Sequence, residues 1–167
     1  MTTFSVILGD ITKLNNVQAI VNAANRDLIP GGGVCGAIYA AAGDKLHKET
    51  SRFGGCPTGF AKWSYAYDLP CKYVIHTVAP MWNKSEIAAS SMLLFLCYIN
   101  TIAVASSLHV NDIAFPCIGT GVYGIPSNVA SGIAVSACKY WDVMDSITFC
   151  CYTEKDYEIY TQLLNDS

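Results

Sequence analysis

The sequence has no basic cluster. Its ten lysines and arginines are scattered among thirteen acidic residues, leaving a net charge of −3 over 167 residues. That balance works against attachment to nucleic-acid backbone, so an anionic ligand has to be met largely by main-chain N–H groups. A membrane-spanning run is missing too. The longest apolar stretch, 92–105 (MLLFLCYINTIAVA), contains Asn100 and Thr101 and falls short of the roughly 20 residues a bilayer requires, which predicts a buried helix. No basic segment precedes an apolar core at the amino terminus, so no secretory signal is read there and a cytoplasmic or nuclear setting is expected. The eight cysteines include no CxxC pair, and several lie within apolar runs. Buried thiols are expected rather than zinc ligands or a disulfide framework. Internal repeats, low-complexity tracts and linkers are also absent. Residues 1–167 therefore read as a single domain, monomeric, with neither metal nor cofactor.

What is present is a chain about half apolar and only 14% charged, the composition of a well-packed globular protein. Short β-rich runs at 4–8, 18–23, 61–66, 72–78, 112–117 and 146–152 alternate with helical stretches near 34–52, 85–108, 126–140 and 154–164. Several of the runs are apolar almost throughout, as expected of strands covered on both faces. The alternation predicts an α/β protein with a mixed or parallel sheet between two helix layers, a three-layer α/β/α arrangement.

Two segments, GGGVCG (31–36) and GTGVYG (119–124), have the GxGxxG spacing. The second directly follows the apolar run DIAFPC and precedes Pro126, a good first-turn residue; the first opens an alanine-rich helix. Ligands of open α/β sheets collect beyond the carboxyl ends of the strands, where two such loops can grip a pyrophosphate from both sides through main-chain N–H groups. The plainer alternative for each loop is a tight turn and nothing more. An ordinary dinucleotide site fits poorly, because about 20 residues past the first loop, where an acidic ribose ligand is expected, the chain reads GGCPTG. The polar residues lie before that loop: Asp10 after the first strand, then Asn22 and Asn25 in VNAAN. A carboxylate accepts from an adenine amine, and an asparagine amide both donates to and accepts from ribose hydroxyls. Together these chemistries describe a nucleotide diphosphate sugar, although turn formation alone also explains the asparagines. His76, inside the run YVIHTV, reads as a structural histidine rather than a base.

GDIT (9–12), AIVNAAN (19–25), GGGVCGAIYAAAG (31–43), YVIHTVAP (73–80) and CIGTGVYGIP (117–126) closely resemble the macrodomain family. CPTGFAK (56–62), YDLP (67–70) and YTEKDYEIY (152–160) carry the similarity to its MacroD-type branch, over nearly the whole chain. The resemblance implies a three-layer macrodomain fold with a central mixed sheet. It implies ADP-ribose as ligand, mono-ADP-ribosylated proteins as partners, and hydrolysis of ADP-ribose from aspartate or glutamate side chains. A non-catalytic ADP-ribose reader and an ADP-ribose 1″-phosphate phosphatase are the alternatives it leaves. Carried over by position, Asp10 contacts the adenine amine, Ile11 adds a main-chain and apolar contact, and Tyr152 packs beside adenine. Gly33, Val34 and Gly36, with Gly119, Thr120, Gly121 and Val122, surround the diphosphate. Asn22 and Asn25 lie near the distal ribose, Asn25 orienting it and Tyr123 covering it. One departure stands out: MacroD-type hydrolases usually carry aspartate where this chain has Cys35, whereas cysteine there, with Tyr39 following, is alphavirus-like.

Without that aspartate the expected route is substrate-assisted. Water is held between a ligand phosphate oxygen and the first-loop backbone, Asn25 fixes the ribose, and Tyr123 limits competing poses. Cys35, near a helix amino terminus, is a second catalytic candidate, as a nucleophile; the blander alternative is a small residue tolerated beside the ligand.

Overall fold

A computed structural model describes residues 1–167. Six strands, β1 (Thr3–Leu8), β2 (Ala19–Ala23), β3 (Ala61–Tyr65), β4 (Tyr73–Thr77), β5 (Asp112–Phe115) and β6 (Ser146–Cys151), form one sheet in the order β1-β6-β5-β2-β4-β3. All neighbours are parallel except β3 and β4. Helices α1 (Gly33–Ala42) and α2 (Asp44–Thr50) cover one face; α3 (Ile87–Ser107), α4 (Ser127–Tyr140) and α5 (Glu154–Asn165) cover the other. The expected three-layer α/β/α arrangement with a mixed sheet is the one observed.

Side-chain alternation explains why the strand runs are apolar almost throughout. Successive residues of a strand point to opposite faces. Ala19, Val21, Ile75, Ile113, Phe115, Ile147 and Phe149 enter the larger core under α3–α5, while Ile20, Val74, Ala114 and Cys150 enter the smaller core under α1 and α2. By the same alternation Asn22 and His76 fall on the α1 side, where they are wholly buried. The apolar run at 92–105 is a buried-face helix: α3 turns Leu94, Cys97, Tyr98, Thr101, Ile102 and Ala105 inward at helical spacing.

Most boundaries fall within two residues of the sequence reading, and two of the differences have a physical cause. The single helix expected over 34–52 is two helices, parted at Gly43, whose φ of +85° and ψ of 177° cannot continue an α-helix. The fifth strand stops at Phe115 because Pro116 has no N–H to extend a ladder. The eight cysteines are free thiols, six of them buried.

The chain order places the site. From β2 the chain builds toward one edge through β3 and β4, then returns to lay β5 and β6 on the other side. Its direction therefore reverses between β2 and β5, the position where open α/β sheets take ligands. The β2–β5 ladder pairs only Ala19 with Ile113 and Ile20 with Ala114, so the adjoining carboxyl ends are not tied together. Both glycine loops leave from those ends.

Candidate functional site

Along the carboxyl edge of the sheet the predicted residues fall into one row. Asp10 follows β1, Tyr152 follows β6, the second glycine loop follows β5 and the first follows β2. Asp10 and Tyr152 are brought together because the Gly9 N–H donates to Cys151 O at 2.9 Å. Asp10 caps a single 3-10 turn at Ile11–Lys13, its Oδ1 accepting from the Thr12 N–H at 2.9 Å and from Thr12 Oγ1 at 2.6 Å. The Thr12 hydroxyl and N–H hold the carboxyl below its ordinary range, so it is an acceptor with Oδ2 uncommitted. Ile11 is buried in the smaller core, which leaves its side chain facing inward. Tyr152 stands 87% exposed at the end of its strand, an aromatic ring with little to pack against.

The first loop is held rigidly from behind. Asn25 Nδ2 donates to Ile29 O at 2.8 Å and its Oδ1 accepts from the Ile29 N–H at 3.1 Å, so one side chain stitches the turn closed. Leu28 within that turn has φ +55°, which costs a non-glycine residue roughly 1–2 kcal/mol. Its carbonyl is met by the hydroxyls of Tyr39 at 2.7 Å and Thr50 at 2.9 Å, bonds worth about 1 kcal/mol each, which offset the strain. Gly33 turns through φ +56° into α1, which has no side-chain cap and no acidic residue in its first turn. The N–H groups of Gly33, Val34 and Cys35 precede any carbonyl four residues back inside the helix, and the helix dipole adds positive potential there. Gly36 behaves differently from expectation. Its N–H donates to Gly32 O at 3.2 Å, and a Cβ on it would run into Gly31 O, so its N–H is already paired and the loop's own close approach to the helix requires glycine here.

Behind the loop lies a buried polar chain. Ser64 Oγ donates to Tyr65 O at 3.1 Å, His76 Nε2 lies 2.8 Å from that hydroxyl, and Asn22 Nδ2 lies 3.1 Å from His76 Nδ1. With the serine proton committed, His76 carries its hydrogen on Nε2 and accepts from Asn22 on Nδ1. Burial pushes the His76 pKa down to about 3, so the ring stays neutral. His76 is structural, as read from the sequence. Asn22 is corrected: wholly buried, it reaches Cys35 Sγ at 3.8 Å instead of the surface, and it supports the loop from beneath rather than touching a ribose. Its Oδ1 has no protein partner, a deficit of about 1–3 kcal/mol. Cys35 is also corrected as a nucleophile. Its thiol is 6% exposed and directed at Ile29 O, and burial pushes its pKa up despite hydrogen bonds from Asn22, Gly31 and Asn25. Desolvation defeats the helix-terminus effect, leaving the blander reading of a small packed residue.

The second loop is closed by its own amides. Ile125 N–H donates to Gly119 O at 2.9 Å, Gly124 N–H donates to Gly121 O at 3.1 Å, and Thr120 Oγ1 donates to Cys117 O at 3.0 Å. Gly119 has φ +88°, and a Cβ there would lie 2.5 Å from Ile125 Cδ1, so both backbone and space demand glycine. Gly121 and Val122 form the tip, Val122 being 94% exposed. Tyr123 is half-buried, and its carbonyl accepts from the Trp82 N–H at 2.8 Å, which ties this loop to the segment after β4.

A three-layer sheet with paired glycine loops at its switch point invites comparison with known proteins, and the macro domain family model matches residues 21–134. The chain belongs to the macro domain family. It is 43% identical over 163 residues to the ADP-ribose glycohydrolase MACROD2 of Xenopus laevis, covering 95% of this chain and 39% of that protein. The chain thus spans well under half the length of that relative. Macro domain-containing protein RSc0334 of Ralstonia nicotianae is 43% identical over 166 residues, covering 99% of this chain and 96% of that protein. A point variant of the Oceanobacillus iheyensis macrodomain, solved with ADPR, superposes with a TM-score of 0.92 at 35% identity, covering 99% of this chain and 93% of the other.

Within this macrodomain, sequence reasoning missed the groups that hold the first loop: Thr50, Ser64 and the hydroxyl of Tyr39. No spacing announces them. Thr50 sits 22 residues beyond the carbonyl it meets, and Ser64 sits 12 residues before His76. Only the close packing of α1 and α2 and the antiparallel β3–β4 ladder bring them into place.

Proposed function

We propose that this macrodomain binds ADP-ribose along the carboxyl edge of its sheet and hydrolyses mono-ADP-ribose from modified aspartate or glutamate side chains of proteins. The observation that carries the reading is the row of Asp10, Tyr152 and two glycine loops on four adjacent strands, with the loops flanking the switch point. Asp10 Oδ2 accepts from the adenine amine while Tyr152 packs on the ring. Main-chain N–H groups of Gly33 and Val34 and of the 119–122 segment embrace the diphosphate. The name of MACROD2 and the ADPR in the Oceanobacillus structure support the same ligand and reaction.

At the distal ribose Asn25 orients the sugar and Tyr123 covers it. Water attacks the anomeric carbon, the bond to the acyl oxygen breaks, and that electron pair leaves as the aspartate or glutamate carboxylate. The water's proton passes to a ligand phosphate oxygen, because GGGVCG carries no base and its one titratable side chain, Cys35, is kept protonated. Positioning and preorganised amides then supply the rate. That same lack of a side-chain base favours a second reading, a reader module that binds without turnover. Incubation with protein mono-ADP-ribosylated on glutamate, beside calorimetry with free ADP-ribose, separates the two. Release of ADP-ribose is the expected result; binding without release selects the reader, and neither removes both.

A further inference from the structure

The turn ahead of the first glycine loop contains a residue that resists the conformation it holds. Leu28 is wholly buried and left-handed, with φ +55°. Tyr39 Oη donates to its carbonyl at 2.7 Å, Thr50 Oγ1 lies 2.9 Å from the same oxygen, and the two hydroxyls are 3.0 Å apart. Tyr39 comes from α1 and Thr50 from the last residue of α2, so two helices converge on one peptide. The next residue, Ile29, gives both its N–H and its carbonyl to the Asn25 amide. The strained peptide therefore stands between the helix pair and the side chain assigned to the ribose.

We propose that Tyr39 and Thr50 are positioning residues for the hydrolysis: their hydroxyls hold Leu28 left-handed and thereby fix Asn25 in the orientation the sugar requires. The inference rests on the hydrolase reading above. Neither hydroxyl is placed to touch a ligand, since Tyr39 is 6% and Thr50 0% exposed. Each side chain contributes one proton, and both aim at a single oxygen, so their effects overlap.

The test uses Tyr39→Phe, Thr50→Val, the double variant and Thr50→Ser, which keeps the hydroxyl. Readouts are kcat and KM for release from glutamate-modified protein, and amide hydrogen exchange across the chain. Each single hydroxyl deletion is expected to lower kcat about tenfold, roughly what one hydrogen bond to a buried carbonyl is worth, with KM changed less than about threefold. Exchange should quicken over residues 26–34 alone, Thr50→Ser should retain wild-type kcat, and the double variant should lose less than the product of the two singles. Wild-type kcat and exchange in Tyr39→Phe would overturn the proposal, as would exchange quickened evenly over the whole sheet. If the unaltered protein releases no ADP-ribose, the hydrolase reading fails by itself. The clamp then stands on local quickening over 26–34 and falls if protection there is unchanged.

Discussion

Mild acid should weaken this fold through one residue. His76 is wholly buried between Asn22 and Ser64, and burial takes its pKa from the ordinary 6.5 to about 3. Below the ordinary value the unfolded chain binds a proton that the folded chain refuses, so the unfolded state gains as pH falls. Stability is therefore complete above about pH 6.5 and declines by about 1.4 kcal/mol per pH unit down to the folded value near 3. At about pH 5 the loss is roughly 2 kcal/mol, or about 4–8 °C in Tm for a domain of this size. Asp10 and Asp142 do not contribute between about pH 7.5 and 5. Both are lowered by hydrogen bonds from Thr12 and Thr2, so their contributions disappear only at pH values under their ordinary 3.8. Urea unfolding near pH 7.5 and near pH 5, compared between wild type and His76→Gln, isolates the effect. The variant should be weaker at the higher pH but nearly flat between the two. A wild-type protein losing less than about 0.5 kcal/mol over the interval, or a variant that keeps the slope, would refute the neutral buried histidine and the polar chain built on it.

Three further outcomes test the site. Gly36→Ala places a Cβ against Gly31 O and should destabilise the fold by about 1–3 kcal/mol, with ADP-ribose affinity measured by calorimetry falling in parallel. Asn25→Ala should lower turnover at saturating substrate by about a hundredfold, the scale of a misplaced reactant, whereas Asp10→Ala should chiefly raise KM; equal, unchanged turnover in both contradicts the assigned roles. Cys35→Ala should keep kcat within about threefold of wild type in the same release assay, because its thiol is packed and protonated; a glycosyl adduct on Cys35, seen by mass spectrometry, would restore the nucleophile.

Much of the fold is legible because burial on both faces leaves its mark in local residue type. The runs around Val21, Ile75 and Ile113 send apolar residues to both faces, Ile20, Val74 and Ala114 to one core and Val21, Ile75 and Ile113 to the other, which already implies helices above and below a sheet. Gly43 was the exception: inside an alanine-rich helical pattern a lone glycine reads as tolerable, and only its positive φ ends α1. The glycine loops were legible as loops, and their family was legible in the motifs around them. Their individual glycines were not. Gly36 and Gly33 look alike in GGGVCG, yet one faces its own backbone and the other turns through φ +56° with nothing within 4 Å of its Cβ direction.

By itself the sequence determined the strand and helix alternation, the two glycine loops, the acidic and aromatic residues after the first and last strands, and membership of the macro domain family. Tertiary structure alone decided that Asn22 turns inward, that Cys35 is a packed thiol, and that hydroxyls from α1 and α2 meet on Leu28. The physical reason is distance along the chain. Periodicity and turn chemistry are properties of neighbouring residues, while a buried hydrogen bond depends on sheet register and helix packing that bring together groups many residues apart.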